Sequence, residues 1–137
     1  MRGISLLLLG ATFASCTTAP PAPTRSARSE RQFQELVSGK VAQAPISCLP
    51  AQRTNDMAVI DDHTIVYKYG TGRVYVAHMQ DGCTNLGGPG PYALVTRLVG
   101  ANGPCRGDIA DVVDTLGHMT VGSCTYGDFT PYVRPGA

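Results

Sequence analysis

From residue 57 onward, apolar and polar positions alternate in short runs broken by glycine, proline and aspartate. Residues 57–60 form a short apolar run, and Asp61-Asp62-His63 follows as a turn. Residues 64–69 are rich in β-branched and aromatic side chains. Gly70-Thr71-Gly72 reads as a hairpin loop, and 73–78 returns with Val74 and Val76 on one face. Residues 81–91 are rich in glycine and proline and read as loop. A further strand is expected over 92–99, with a turn at 100–104. Residues 108–116 fit strand or helix, with strand preferred. Two short strands, 119–123 and 129–133, close the pattern. Several short strands with regular turn signals predict a mainly β fold, a small antiparallel β-barrel or sandwich.

The first 47 residues follow other patterns. Ser29-Glu30-Arg31-Gln32 matches a capping box, and Phe33, Leu36 and Val37 follow at helical spacing before Gly39. They predict one short helix over 30–38, either docked on the domain or lying in the tether. Residues 17–28 hold Pro20, Pro21 and Pro23 among Ala, Thr and Ser, a semi-rigid spacer that packs no core.

Ahead of the spacer, Arg2 precedes an apolar run over 4–9 and then small residues, the pattern of a secretory signal peptide. The run is far short of the ~20 apolar residues a spanning helix needs. Phe13-Ala14-Ser15-Cys16 resembles the lipobox of bacterial lipoproteins, in which the cysteine is acylated and becomes the first mature residue. Ala14 and Ser15 fit that pattern; Phe13 stands where leucine or valine is usual. Cleavage after Ala19 would instead yield a soluble periplasmic protein. The resulting division is a signal peptide (1–15), a tether (16–28), a short helix and linker (29–47) and a disulfide-stapled β domain (48–137). The lipid anchor at Cys16 implies the periplasmic side of a bacterial membrane, with the outer membrane favoured.

Charge and cysteine count narrow the function. The chain has 11 Lys and Arg against 10 Asp and Glu, so no basic face is implied and nucleic acid is not an expected partner. Of five cysteines, Cys16 belongs to the leader. Cys48, Cys83, Cys105 and Cys124 remain, an even set that predicts two disulfides in an exported domain. No Cys-x-x-Cys or His-x-x-x-His spacing supports zinc, and no metal or cofactor is expected. The domain has no Trp in a chain with only three Phe, so disulfides compensate for a thin core. Three connectivities are open. Cys83 with Cys105 and Cys48 with Cys124 is expected, on the premise that the strands at 73–78 and 92–99 are antiparallel neighbours.

Several segments, read in order, resemble a family of small proteobacterial envelope proteins known only as a domain of unknown function. They are Cys48-Leu49, the stretch Ile60-Asp61-Asp62-His63-Thr64-Ile65, Gly72-Arg73-Val74-Tyr75, and Gly82-Cys83 with Leu86. Cys105-Arg106-Gly107-Asp108-Ile109 and Cys124 with Gly127, Phe129 and Pro131 complete the match. Ala77 departs from a frequent asparagine, and 125–129 is one residue looser than the usual form. The resemblance implies the fold and the four cysteines, and no activity.

The remaining constellations are weighed by chemistry. Asp61, Asp62 and His63 offer a metal or acid–base set, but aspartate in a polar hairpin turn bonds the local backbone, and that reading is preferred. Asp108, Asp111 and Asp114 would share one side of a helix but not of a strand, and no EF-hand loop surrounds them. His63, His78 and His118 are scattered. Arg106-Gly107-Asp108 spells an adhesion tripeptide, a motif too short to weigh much. Gly87-Gly88-Pro89-Gly90 lacks the lysine of a phosphate loop. The tyrosines 67, 69, 75, 92, 126 and 132 are the main supply of large side chains, expected half-buried, and an exposed cluster of them would mark a binding face. The leading expectation is a non-enzymatic envelope lipoprotein that binds a partner or stabilises an assembly. An inhibitor of a lytic enzyme, acting through loop 82–91, and a metal-dependent or hydrolytic enzyme using Asp61, Asp62 and His63 are the alternatives.

Overall fold

The computed structural model describes residues 24–51, 56–98 and 103–136. The expected leader, Cys16 and most of the expected spacer lie outside them, as do 52–55 and 99–102. One helix, α1 (Ala27–Val37), precedes strands β1 (Val41–Ala42), β2 (Met57–Asp61), β3 (Thr64–Tyr69), β4 (Arg73–Met79), β5 (Tyr92–Arg97), β6 (Ile109–Asp114) and β7 (Met119–Val133). They form one antiparallel sheet in the order β2-β3-β4-β7-β6-β5, with β1 also on β7, curled into a half-barrel. The segment over 108–116 is a strand, as preferred.

The 57–79 hairpins form as the alternation dictates. In β3 and β4, Ile65, Tyr75 and Ala77 point to the concave face, where they join Met79, Leu86, Tyr126 and Phe129 in the main core. Val66, Val74 and Val76 point the other way and meet Phe33 and Val37 of α1 with Ile60. The helix is therefore docked, and this part of the sheet is buried on both faces.

The helix also begins three residues before the expected start. Ser26, not Ser29, is its N-cap, and its side chain accepts from the Ser29 amide at 3.1 Å. Arg25 fixes that entry. Its guanidinium donates to Asp61 Oδ2 and Thr64 Oγ1, both at 3.0 Å, and lies 4.2 Å from the centroid of the Phe33 ring. The spacer expected to run to residue 28 thus ends before Arg25.

Where two short strands were expected at the end of the domain, β7 is one strand of 15 residues. Its first half pairs with β6, from Asp114 opposite Met119 to Ile109 opposite Thr125. Its second half pairs with β4, from Met79 opposite Tyr126 to Arg73 opposite Val133. The register slips beside Gly122 and again beside Gly127. A β-bulge bends the strand that carries it. A Cβ on Gly122 or Gly127 would lie 2.7 Å from the carbonyl oxygen of Thr84 or His78, so only glycine admits those neighbours. The glycines bend a continuous strand rather than end it.

This order overturns the expected disulfide pairing. Among the described residues strand β5 pairs with β6 alone, and β6 and β7 separate it from β4, so Cys83 and Cys105 do not share a sheet end. The observed bonds are Cys48–Cys105 and Cys83–Cys124. The chain leaving β4 runs on over β7, with the Gln80 amide on the Thr125 carbonyl at 2.9 Å, and so arrives at Cys124. Cys48 and Cys105 face each other across an antiparallel bridge. Two such bonds belong to an oxidising compartment. Among the described residues, no helix is long and apolar enough to cross a membrane.

Candidate functional site

The curl of the sheet brings the concave faces of β3 and β5 together across a groove of about 460 Å³. Tyr67 and Tyr69 come from β3, Leu94 and Thr96 from β5. Each pair is spaced by two residues, so both members point to the same face. The third wall is two extended segments at Leu49–Pro50 and Gly103–Pro104. They are strapped together by the Cys48–Cys105 bond and by the Leu49 amide donating to the Pro104 carbonyl at 2.9 Å. Met57 and Leu98 form an exposed apolar rim.

The polar atoms of the groove converge on one point. Tyr126, fully buried in β7, sits behind the wall with its hydroxyl between two others. Tyr67 Oη lies 2.6 Å away and Thr96 Oγ1 2.9 Å away. Burial, followed by the neighbouring Tyr126, pushes the Tyr67 phenol far above its ordinary value. Burial raises Tyr126 as well. Tyr69 donates to the Pro50 carbonyl at 2.8 Å and packs edge-on against Tyr75. These hydroxyls stay protonated, so they act as hydrogen-bonding groups rather than nucleophiles. Among the described residues, those lining the groove carry no Asp, Glu, Lys, Arg or His.

The other expected residues are already engaged. The ligand atoms of Asp61, Asp62 and His63 lie within 4.8 Å of one another. One Asp61 oxygen accepts from the His63 amide at 2.9 Å, closing a local turn, and the other holds Arg25. His63 Nδ1 is 2.8 Å from Asp62, and its ring lies where a Cβ on Gly82 would be. The Asp61 carboxylate is thus already offset by Arg25 and engaged in the local turn that was preferred for this stretch. Asp108 accepts from the Cys105 amide at 2.8 Å and is buried, while Arg106 is paired with Asp128. The adhesion tripeptide is thereby folded into a turn. Asp111 pairs with Arg97, and Asp114 caps the amides of Leu116 and Gly117, so the three aspartates serve three separate local roles. His78 and His118 are exposed and do not line the groove; His78 lies opposite Thr64, on the same side as Arg25, Asp61 and His63.

Of the groove residues, the tyrosines stood out in the sequence as large side chains; Leu94 and Thr96 did not. The signal was the alternation Tyr92, Leu94, Thr96, in which a threonine occupies an inward position. Comparisons with protein-family models, with curated proteins and with solved structures find no match for the chain.

Proposed function

We propose that this chain is a non-enzymatic binding module of the bacterial envelope, held on the periplasmic side of the outer membrane by a lipid on Cys16, and that the concave groove is its binding face. The observation that carries the reading is the groove itself: its described lining is largely apolar, walled by a disulfide, with a few convergent hydroxyls. That is the composition of small-ligand sites generally. The anchor rests on the lipobox resemblance, and the disulfides agree with an oxidising compartment. Cys16 and Thr24 are eight residues apart, so a lipid on Cys16 would keep the Arg25 end of the domain within about 28 Å of the bilayer. The protein purified from its own envelope and weighed by native mass spectrometry should carry a small bound mass. A Leu94→Glu variant, which puts a charge in the groove, should lose it. A bound mass unaffected by that variant would refute the groove as the binding face.

A second reading is inhibition of a lytic enzyme. Residues 87–91 are exposed and nearly without side chains, while Cys83, bonded to Cys124, and buried Leu86 anchor the loop behind them. Such a rigid tip fits a narrow cleft. A peptidoglycan-hydrolysis assay with added protein tests it: no slowing at stoichiometric excess removes this reading.

A further inference from the structure

The turn between β6 and β7 carries the two most exposed large apolar side chains among the described residues, Leu116 at 79% and Met119 at 63%. The turn reads Thr115-Leu116-Gly117-His118-Met119, with no Asp, Glu, Lys or Arg in it. Its leading backbone amides are satisfied from within the protein. Asp114 Oδ1 accepts from the Leu116 amide at 2.9 Å and from the Gly117 amide at 3.2 Å. The Thr115 amide and hydroxyl both donate to the Pro91 carbonyl, at 2.9 and 2.7 Å. Leaving water therefore costs this turn less than it would cost an open loop. Large apolar side chains grouped on such a turn mark a contact surface.

Its place in the fold points to what covers it. The chain enters the domain at Thr24 and Arg25, and loop 85–91 joins that entry to the turn. Asn85, Gly87 and Gly88 line one cavity of about 390 Å³ with Thr24 and Arg25. The same loop meets the β6–β7 hairpin, where Asn85 Nδ2 donates to the Val121 carbonyl at 3.2 Å and Thr115 holds Pro91. The other end of the domain is marked by Val41. It pairs with Val133, which lies opposite Arg73 at the start of β4, whereas Arg25 bonds Thr64, opposite His78 near the end of β4. Cys16 is eight residues ahead of Thr24, so a lipid there keeps the entry end within about 28 Å of the bilayer and the turn within reach of it. We infer that the β6–β7 turn dips Leu116 and Met119 into the bilayer interface beside the anchor and so fixes how the domain stands on the membrane. This rests on the Cys16 anchor and adds an orientation to it: the acyl chains hold the protein, and the two side chains set its tilt. Loop 87–91 is then turned towards lipid, which sets this inference against the inhibitor reading.

The chain has no Trp, so a single introduced Trp reports its own surroundings. Two variants of the lipidated protein, Leu116→Trp and Val41→Trp, are placed in phosphatidylethanolamine–phosphatidylglycerol vesicles with and without brominated acyl chains. Both positions are exposed, so both variants should fold. The Leu116→Trp emission should shift to the blue on vesicles and lose most of its intensity with brominated chains, and Val41→Trp should do neither. A vesicle-bound Leu116→Trp that keeps its aqueous emission and is not quenched overturns the inserted turn and leaves the anchor standing. Equal quenching at both positions overturns the orientation. A blue shift that follows protein concentration without quenching overturns insertion and assigns the turn to contact with a second copy. Protein absent from the vesicle fraction overturns the anchor, and the inserted turn with it.

Discussion

The two disulfides should respond to reductant one at a time. They close loops of similar span, with sequence separations of 57 and 41. In the chain-entropy model each contributes about 4 kcal/mol, so loop length does not distinguish them. Access does. Cys83 and Cys124 are buried in the core, whereas Cys48 is exposed. Thiol–disulfide exchange needs the attacking thiolate to reach a sulfur. Brief treatment of the native protein with a low concentration of dithiothreitol should therefore open Cys48–Cys105 first. Cys83–Cys124 should open only at the rate of unfolding. Iodoacetamide trapping and peptide mapping at successive times read the order directly. The partly reduced protein should keep its fold but have a lower melting temperature, with a loss of up to about 4 kcal/mol. It should also lose groove binding, because the strapped wall at Leu49–Pro50 and Gly103–Pro104 is released. Alkylation of Cys83 and Cys124 before Cys48 and Cys105 would refute the burial argument. A non-reduced peptide joining Cys83 to Cys105 would refute the pairing itself.

Three other outcomes are expected. Arg25→Ala removes ion pairs to Asp61 and Glu30, a hydrogen bond to Thr64 and a cation–π contact with Phe33, and should cost roughly 1–3 kcal/mol. The α1 amides should then exchange with solvent faster than those of β4, and equal protection in variant and wild type would contradict the latch. The Tyr67 and Tyr126 phenols are raised in the folded state, so above about pH 10 the unfolded chain ionises while the folded one resists. Their contribution is full below that pH and is lost as pH rises above it, so the guanidinium midpoint should fall with pH above about pH 10, less steeply in Tyr67→Phe; equal slopes would count against buried, neutral phenols. Cys16→Ser should move the protein from the membrane fraction to the soluble periplasm, and a wild type that is soluble and begins after Ala19 would disprove the anchor.

The parts of the fold that could be read in advance are those set by local chemistry. Alternation and turn residues suffice for β2, β3 and β4, because each pairs with its neighbour in sequence. The end of the chain misled because Gly122 and Gly127 look like strand breakers. They serve instead as points where β7 bends and another backbone approaches. The start of α1 misled because two serines three residues apart both suit an N-cap. The choice of Ser26 depends on Asp61 and Thr64 drawing Arg25 in from far along the chain. The disulfide pairing depends on sheet order, and nothing near a cysteine encodes which strand lies beside which. The candidate site was harder still. Its tyrosines were visible, but Leu94 and Thr96 acquire meaning only when the sheet curls and sets β5 across from β3.

The curl also explains how so small a domain has both a core and a groove. On the β2–β4 side the sheet is closed on both faces, by α1 outside and by the Tyr126–Phe129 pair inside. On the β5 side no helix among the described residues covers the outer face: Val95 and Ile109 are exposed there, with Arg97 laid over Asp111. Stability is thus concentrated in one half of the half-barrel, and the other half is free to form a wall. Each wall of the groove is then held by something other than bulk packing. Tyr67 and Thr96 are tied through one buried hydroxyl, and Leu49 and Pro104 through a disulfide and a backbone bond. A site so fixed keeps its shape before anything binds, which lowers the ordering cost of binding. It also means that the residues most sensitive for binding, Thr96 and Cys48, should differ from those most sensitive for folding, Phe129 and Val76.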